Sequence, residues 1–283
     1  MQTLNCTVLL FESPIARAYL AVIKQCGFRV KRIIKCFNGE QKWKWMPKSL
    51  RNPLLCTKDS VRNNYWPNTF QHNGLAKPIT ERICEAYQLP ADFFDIFFVN
   101  DQKLSTCADE VLYCDWGTDG WKSDTLFQLL QSFGAETYLF TGGGLVARRI
   151  LTLPNTEFVH VHPAVLPYIR GADGLLWSTL LNGKPGASCF YMVPELDEGH
   201  LITTAAFEPV QLAKPQSADL KTLYRLIFSF YDPVIRALCL QKVLKQFGTL
   251  SHLPTQEQET HLGITYHFMH PLLQEKVLDK IFV

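Results

Sequence analysis

The first forty residues alternate between strand-like and helical patterns, and this alternation constrains the fold more than any other feature. Residues 4–11 form a continuous apolar run of strand length, and residues 29–37 form a second one. Between them, apolar residues recur at helical spacing until Gly27 stops the pattern. A strand, a helix and a strand in this order predict a parallel sheet, because parallel strands need a crossover connection.

The alternation continues to about residue 207, so the chain is predicted to be an α/β protein with an open, mainly parallel sheet flanked by helices. We expect this α/β domain to span residues 1–212 and a small, mostly helical C-terminal extension to span residues 213–283. Residues 38–75 are polar and weakly periodic, which favours an insertion or a long loop, with a lid over the substrate as one role.

Two further segments carry specific expectations. The apolar run at residues 94–99 predicts a strand. Residues 219–247 predict a long amphipathic helix that Pro233 kinks or splits. Because such a helix commonly buries one face against a partner, a homodimer is also an expectation.

Charge and cysteine usage exclude several classes of protein. The net charge is only +2 and the basic residues are scattered, so no basic stripe marks a nucleic-acid partner. No apolar run reaches the ~20 residues of a membrane span, and the N-terminus lacks a signal-peptide pattern. The nine cysteines include no Cys-x-x-Cys pair, which is typical of buried, reduced thiols. We therefore expect no membrane association and a bacterial-type cytoplasmic protein.

The segment from residue 158 to residue 202 carries the candidate chemistry. It contains His160 and His162, which alternate onto one face of a predicted strand, and Asp197 in a glycine-containing loop. Two imidazoles and a carboxylate can hold a carbonyl group, stabilise an oxyanion and move a proton. Two imidazoles so close resist both being charged, so at least one should be neutral near pH 7.

A metal site is a second interpretation of the two histidines. The histidines, with Asp197 and His200, could ligate a metal ion, but no Glu or Cys stands at ligand spacing nearby, so no metal is expected.

The run Gly142-Gly143-Gly144 follows a predicted strand but lacks the spacing of a dinucleotide fingerprint or a P-loop. It indicates a place where the backbone passes close to a ligand or to itself.

Together these motifs resemble the folate-dependent formyltransferases, a family that includes methionyl-tRNA formyltransferase and the sugar N-formyltransferases. The matching motifs, spread over residues 136–207, are Phe140-Thr141-Gly142-Gly143-Gly144-Leu145, His160-Val161-His162-Pro163, Leu166-Pro167-Tyr168-Ile169-Arg170-Gly171, Trp177, Gly186-Ala187-Ser188 and Asp197-Glu198-Gly199-His200-Leu201-Ile202. The resemblance implies a Rossmann-like sheet. It also implies that N10-formyltetrahydrofolate is the formyl donor.

The resemblance further implies roles for individual residues. His162 takes the place of the family's catalytic His and Asp197 that of its Asp, whereas His160 stands where the family has Asn. The two histidines would stabilise the oxyanion of a tetrahedral intermediate, since an imidazole can donate one hydrogen bond, and Asp197 would accept the proton of the amine. The residues implied to contact folate are Gly142, Gly143, Gly144, Leu145, Ala164 and Leu196.

The acceptor is expected to be a small amine, either an amino sugar or an ornithine-type side chain. A tRNA substrate would need a basic second domain, and residues 216–283 are too short and too neutral for one. A phosphate-binding loop after the first strand, as purine synthesis requires, is lacking. Two alternatives stay open: a folate- or metal-dependent hydrolase, and a folate-binding protein with reduced catalysis.

Overall fold

The computed structural model describes residues 1–39, 45–98, 104–216 and 218–283. In this part of the chain one seven-stranded sheet has the order β3-β2-β1-β4-β5-β7-β8, and a two-stranded sheet pairs β6 with β9. The strands are β1 (Gln2–Phe11), β2 (Phe28–Phe37), β3 (Ala108–Asp115), β4 (Glu136–Phe140), β5 (Thr156–His162), β6 (Ile169–Gly171), β7 (Gly186–Tyr191), β8 (Leu201–Ala206) and β9 (Ile264–Tyr266).

The large sheet is mainly parallel, as predicted. Neighbouring strands from β3 through β5 run parallel, and the last two pairings, β5 with β7 and β7 with β8, are antiparallel. The strand order reverses between β1 and β4, which is where open α/β sheets form a crevice at their carboxyl ends. Here the hydroxyl of Thr141 bridges that point, accepting from the Phe11 amide at 3.0 Å and donating to the Leu9 carbonyl at 2.9 Å.

The helices cover both faces of this sheet. They are α1 (Pro14–Gln25), α2 (Lys48–Asn63), α3 (Tyr65–His72), α4 (Ala76–Tyr87), α5 (Leu104–Cys107), α6 (Asp124–Ser132), α7 (Arg148–Leu151), α8 (Gly174–Asn182), α9 (Leu220–Leu226), α10 (Asp232–Phe247) and α11 (Pro271–Ile281). Helix α1 begins with Ser13 as its N-cap, whose hydroxyl accepts from the Ala16 amide.

Two sequence expectations need correction. The long loop, one of the two alternatives for residues 38–75, is wrong, because the described part of this segment is mostly helical, in α2 and α3. An insertion and a role as a lid stay predictions, and residues 40–44 lie outside the described residues. The strand expected at 94–99 is a 3-10 helix at Phe93–Phe98, and Val99 lies outside the described residues. Aromatic residues favour strands intrinsically, but here Phe94 packs edge-on against Phe230, and tertiary packing decides the local structure.

The expected break in the long C-terminal helix is confirmed. A π-helical turn at Ile227–Tyr231 separates α9 from α10, and Pro233 lies in the first turn of α10. Proline has no amide hydrogen, and its ring would clash with the carbonyl four residues earlier, so a regular α-helix cannot continue through this point.

The C-terminal residues share the core of the α/β sheet. Leu10 of β1, Val161 of β5 and Leu240 of α10 are all fully buried in one hydrophobic cluster. Strand β9 pairs in parallel with β6, which places residues 264–266 against the Leu166–Gly171 motif. This approach requires glycine at position 171, where φ is +90° and a Cβ atom would meet the Tyr266 carbonyl oxygen.

The described chain contains no helix that is both long and apolar enough to cross a membrane. The nine cysteines are all free, and seven are buried, in agreement with the prediction of reduced thiols.

A buried ionic network anchors α1 and the segment after α2 to the sheet. The Glu12 carboxylate, fully buried at the end of β1, pairs with Arg17 at 2.7 Å and with Lys35 at 3.1 Å, and it accepts from the Asn64 amide at 3.0 Å. Burial by itself would raise the pKa of Glu12, but the adjacent Arg17 and Lys35 cations outweigh it and hold the pKa at about 2.

We expect Glu12→Gln to lower the free energy of unfolding at pH 7 by about 3–5 kcal/mol, because Arg17 and Lys35 lose their buried partner. Between about pH 5 and pH 2 the unfolded wild-type chain binds a proton that the folded protein does not, so wild-type stability falls by about 3 kcal/mol. Urea unfolding at several pH values should therefore show the two proteins converging towards low pH. The exposed Glu85→Gln variant serves as the control, and a constant difference at all pH values would contradict the assignment.

Candidate active site

A cavity of about 570 Å³ opens at the carboxyl ends of β4 and β5 and brings most of the predicted site residues together. That volume lies within the range of small-molecule sites. The predicted residues that line it are His160, His162, Asp197, Gly142, Gly143, Gly144, Leu145 and Leu196. Segments far apart in the sequence therefore converge on one pocket, as the motif interpretation requires.

The two histidines lie at the end of β5 with their side chains on the same face. His160 is 8% exposed and His162 is 3% exposed, so each ring reaches the cavity from a largely buried position. The His160 ring lies between Phe140 and Phe190, in edge-on contact with both. These aromatic neighbours restrict the orientation of the ring and shield it on two sides.

Asp197 faces His162 across the pocket. Its Oδ2 lies 3.5 Å from His162 Nδ1 and accepts a 2.9 Å hydrogen bond from the Gly171 amide. The backbone of Asp197 has φ +56°, a left-handed conformation that is uncommon for a side-chain-bearing residue. The side-chain amide of Gln258 donates to the Asp197 carbonyl at 3.0 Å, so the C-terminal segment holds this loop in place.

Backbone carbonyls indicate where the imidazole protons reside. His162 Nε2 lies 2.9 Å from the Ile169 carbonyl oxygen, and a carbonyl can only accept, so this nitrogen carries the hydrogen. The neutral ring then presents a bare Nδ1 to Asp197. The longer contact of 3.4 Å between His160 Nδ1 and the Phe140 carbonyl favours a hydrogen on Nδ1 there, which leaves Nε2 without one.

The pKa values of both imidazoles are lowered, which favours the neutral form. Burial, reinforced by the nearby Arg236 cation, lowers the pKa of His160 to about 3, although the Asp197 carboxylate opposes the shift. Burial also lowers the pKa of His162, although Asp197 opposes the shift. A neutral imidazole with a bare nitrogen beside a carboxylate can act as a base, since the carboxylate stabilises the imidazolium that forms.

The three glycines form one wall of the cavity, and Trp121 explains the first of them. A Cβ atom at position 142 would lie 2.3 Å from the Trp121 ring, whereas one at position 143 would meet nothing within 4 Å. The Trp121 indole donates to the Gly143 carbonyl at 3.1 Å, which fixes the loop. Gly142 therefore lets the backbone pass close to the protein itself, one of the two roles predicted for this run.

Ala164 is placed differently from the other predicted residues. It is fully buried and does not line the cavity, and its carbonyl accepts a 2.8 Å hydrogen bond from the Ser188 hydroxyl. The same hydroxyl accepts from the Leu166 amide at 2.9 Å. Ser188 thus fixes the loop between the two motifs, and a folate contact by Ala164 stays a prediction.

Sequence reasoning missed the residues that the C-terminal part of the chain adds to the cavity. They are Tyr224, Phe228, Arg236, Thr265, Tyr266, His267 and Phe268. The sequence did contain a signal for Arg236. This residue is a charge within an apolar helical run, and it follows Asp232 by four residues, a spacing that places the two side chains on one face of a helix. The aromatic residues gave no such signal, because their position depends on the pairing of β6 with β9.

Within the described residues, no group of three or more His, Cys, Asp and Glu side chains is arranged to hold a metal ion. Asp197 Oδ2 accepts a hydrogen bond from the Gly171 amide, and His162 Nε2 is engaged by the Ile169 carbonyl.

Comparison with known proteins confirms the resemblance to formyltransferases. No protein-family model matches the chain. It is 28% identical over 86 residues to a methionyl-tRNA formyltransferase of Syntrophus aciditrophicus, a match covering 29% of this chain and 27% of that protein. It is 40% identical over 58 residues to the methionyl-tRNA formyltransferase of Leifsonia xyli subsp. xyli, covering 20% and 19%. The matches thus span about a quarter or less of these relatives.

Among solved structures, the chain is similar to a 4-N formyltransferase from Francisella tularensis. The superposition has a TM-score of 0.44 and 10% identity, and it covers 94% of this chain and 76% of that one.

We expect NMR titration to show both His160 and His162 neutral at pH 7, with His160 uncharged down to about pH 3, because burial and Arg236 oppose protonation. The variant His160→Gln assigns the resonances by removing one set. A wild-type spectrum with both rings charged at neutral pH would be incompatible with the geometry described above.

Proposed function

We propose that this protein is an N-formyltransferase that moves a formyl group from N10-formyltetrahydrofolate to the amine of a small molecule. The observation that carries the proposal is the facing pair of His162 and Asp197 in a cavity walled by the Gly142–Gly144 loop. The sequence similarity to formyltransferases supports the same reaction class.

The cavity suits a folate donor. Its volume of about 570 Å³ accommodates part of such a ligand, and the wall beside the glycine loop is apolar, with Leu145, Val146 and Leu151. Gly143 and Gly144 have no side chains that would keep a ligand away from the loop backbone, of which the Gly143 carbonyl already accepts from Trp121. We infer that the pterin end lies against this wall, with the formyl carbon directed towards the histidines.

The reaction begins with attack of the neutral amine on the formyl carbon. A carbon–nitrogen bond forms, the carbonyl electron pair moves to oxygen, and the attacking nitrogen becomes a cation. In this proposal the bare Nδ1 of His162 takes the ammonium proton, directly or through a water molecule, in place of Asp197, to which the resemblance assigns that role. Asp197 then stabilises the resulting imidazolium. The tetrahedral oxyanion then collapses, the bond to N10 breaks, and N10 takes a proton. The products are the formamide and tetrahydrofolate.

The acceptor is a small amine, with an amino sugar and an ornithine-type side chain as the two classes to test. The side of the cavity formed by Tyr224, Phe228 and Tyr266 is mainly aromatic. Such a surface suits the apolar face of a sugar ring or an aliphatic chain. A homodimer and a cytoplasmic location remain further proposals.

Calorimetric titration with a stable 10-formyltetrahydrofolate analogue tests the donor site. We expect saturable binding that Gly142→Ala weakens at least tenfold, because the added methyl group displaces the loop from Trp121. Glu85→Gln is the control, since Glu85 is exposed and does not line the cavity. An absence of binding by the wild-type protein would refute the folate proposal.

Single-turnover assays with a panel of amines test the chemistry. We expect His162→Ala to reduce the rate about 10²–10⁴-fold through loss of the base. Asp197→Asn should reduce it substantially as well, because an amide stabilises an imidazolium poorly. His252→Ala serves as the control, since His252 is exposed and does not line the cavity.

The same assays separate the alternatives. Formate release without an added amine would favour a hydrolase over a transferase. Folate binding without turnover of any amine would favour a folate-binding protein.

A further inference from the structure

The hydrogen bonds of the two histidines leave the oxyanion short of donors. His162 gives its Nε2 hydrogen to the Ile169 carbonyl, and the contact of His160 with the Phe140 carbonyl favours its hydrogen on Nδ1. A neutral imidazole has one N–H group, so neither ring has a second one to offer the cavity. An asparagine side chain at position 160 would not have this restriction, because its amide carries two N–H groups.

Arg236 of α10 lies where such a donor is needed. Its Nη1 donates a 2.9 Å hydrogen bond to the carbonyl of Val161, the residue between the two histidines in β5. Its Nε donates to Asp232 Oδ2 at 2.8 Å. A guanidinium has five N–H hydrogens, so two hydrogen bonds leave others free, and the side chain lines the cavity beside both imidazoles.

Asp232 orients the Arg236 guanidinium towards the cavity, and its own negative charge lies away from the cavity. Asp232 is fully buried, and Arg236, but not Asp232, lines the cavity. The positive end of the ion pair therefore faces the reacting groups. In a site that excludes water, such a preoriented cation stabilises developing negative charge far better than it would in solution.

We propose that the guanidinium of Arg236, held by Asp232 and the Val161 carbonyl, supplies the positive charge that stabilises the tetrahedral oxyanion beside His160 and His162. This inference rests on the proposed formyl transfer. It makes the C-terminal helix α10 a part of the catalytic apparatus. It also accounts for a histidine at position 160, since the oxyanion would no longer depend on a donor from that position.

The charged groups around Arg236 determine how its removal should change the pH dependence of the reaction rate. The titratable groups around the guanidinium are Asp232, Tyr19, Asp197, His160 and His162. The Tyr19 hydroxyl donates to the same Val161 carbonyl at 3.4 Å, and burial keeps that phenol neutral by raising its pKa. Loss of the cation should therefore raise the pKa of both histidines, so the acidic limb of the rate profile should move to higher pH.

The test compares wild type with Arg236→Met, Arg236→Lys and the double variant Asp232→Asn/Arg236→Met. Lysine keeps the charge, and the double variant removes the unpaired carboxylate that the single methionine substitution would leave in the core. Circular dichroism establishes that each variant folds. The readouts are kcat, KM for the amine, the pH profile and the affinity for the stable formyltetrahydrofolate analogue.

We expect Arg236→Met and the double variant to lose about 10²–10³ in kcat with analogue affinity unchanged, and Arg236→Lys to stay within about tenfold of wild type. The acidic limb should move to higher pH in Arg236→Met and by less in the double variant, because Asp232, which raises the pKa of His162, is neutralised there as well. Recovery of wild-type kcat in the double variant, or an unmoved pH profile, would overturn the inference by leaving Arg236 a packing residue. Failure of the proposed function itself is distinguishable, because it would already appear as an inactive wild-type protein.

Discussion

The parallel pairing of β6 with β9 is the contact on which the candidate site depends. It joins the Leu166–Gly171 motif to a strand that comes about a hundred residues later in the chain. Gly171 and Gly263 permit this approach, since a Cβ atom at either would lie within 2.2 Å of a backbone oxygen. Once β9 is in place, Arg170 reaches the Gly263 carbonyl, and the Trp177 indole donates to the His267 carbonyl.

Buried charge is used in two different ways in this fold. At the end of β1, Glu12 is surrounded by cations and amides and holds α1 and the residues after α2 to the sheet. At the end of β5, Asp232 and Arg236 form a pair of which only the cation borders the cavity. The fully paired charges around Glu12 hold helices to the sheet. The pair of Asp232 and Arg236 instead presents a positive electrostatic potential to the cavity, because only its cation borders the cavity.

The sequence was informative where function and structure depend on local patterns, and less so where they depend on distant contacts. The β-α-β opening and the break near Pro233 could be predicted from periodicity and spacing, whereas the candidate site residues around His162 were indicated by the resemblance of their motifs to a known family. The run Phe93–Phe98 could not, because its aromatic side chains pack on Phe230, far along the chain. Tyr266 escaped notice for the same reason: its place beside Trp177 exists only after β9 pairs with β6.

The late position of β9 in the chain has a consequence for biosynthesis. A ribosome adds residues 264–266 well after it has completed both histidines and the Asp197 loop. A nascent chain that ends just after this loop lacks the hydrogen bond from Gln258 to the Asp197 carbonyl, and it lacks the strand β9 that pairs with β6. The pocket would then acquire its final shape only after residues 258–266 have been synthesised. A chain that stalls before residue 258 would carry every motif residue and still present an incomplete cavity.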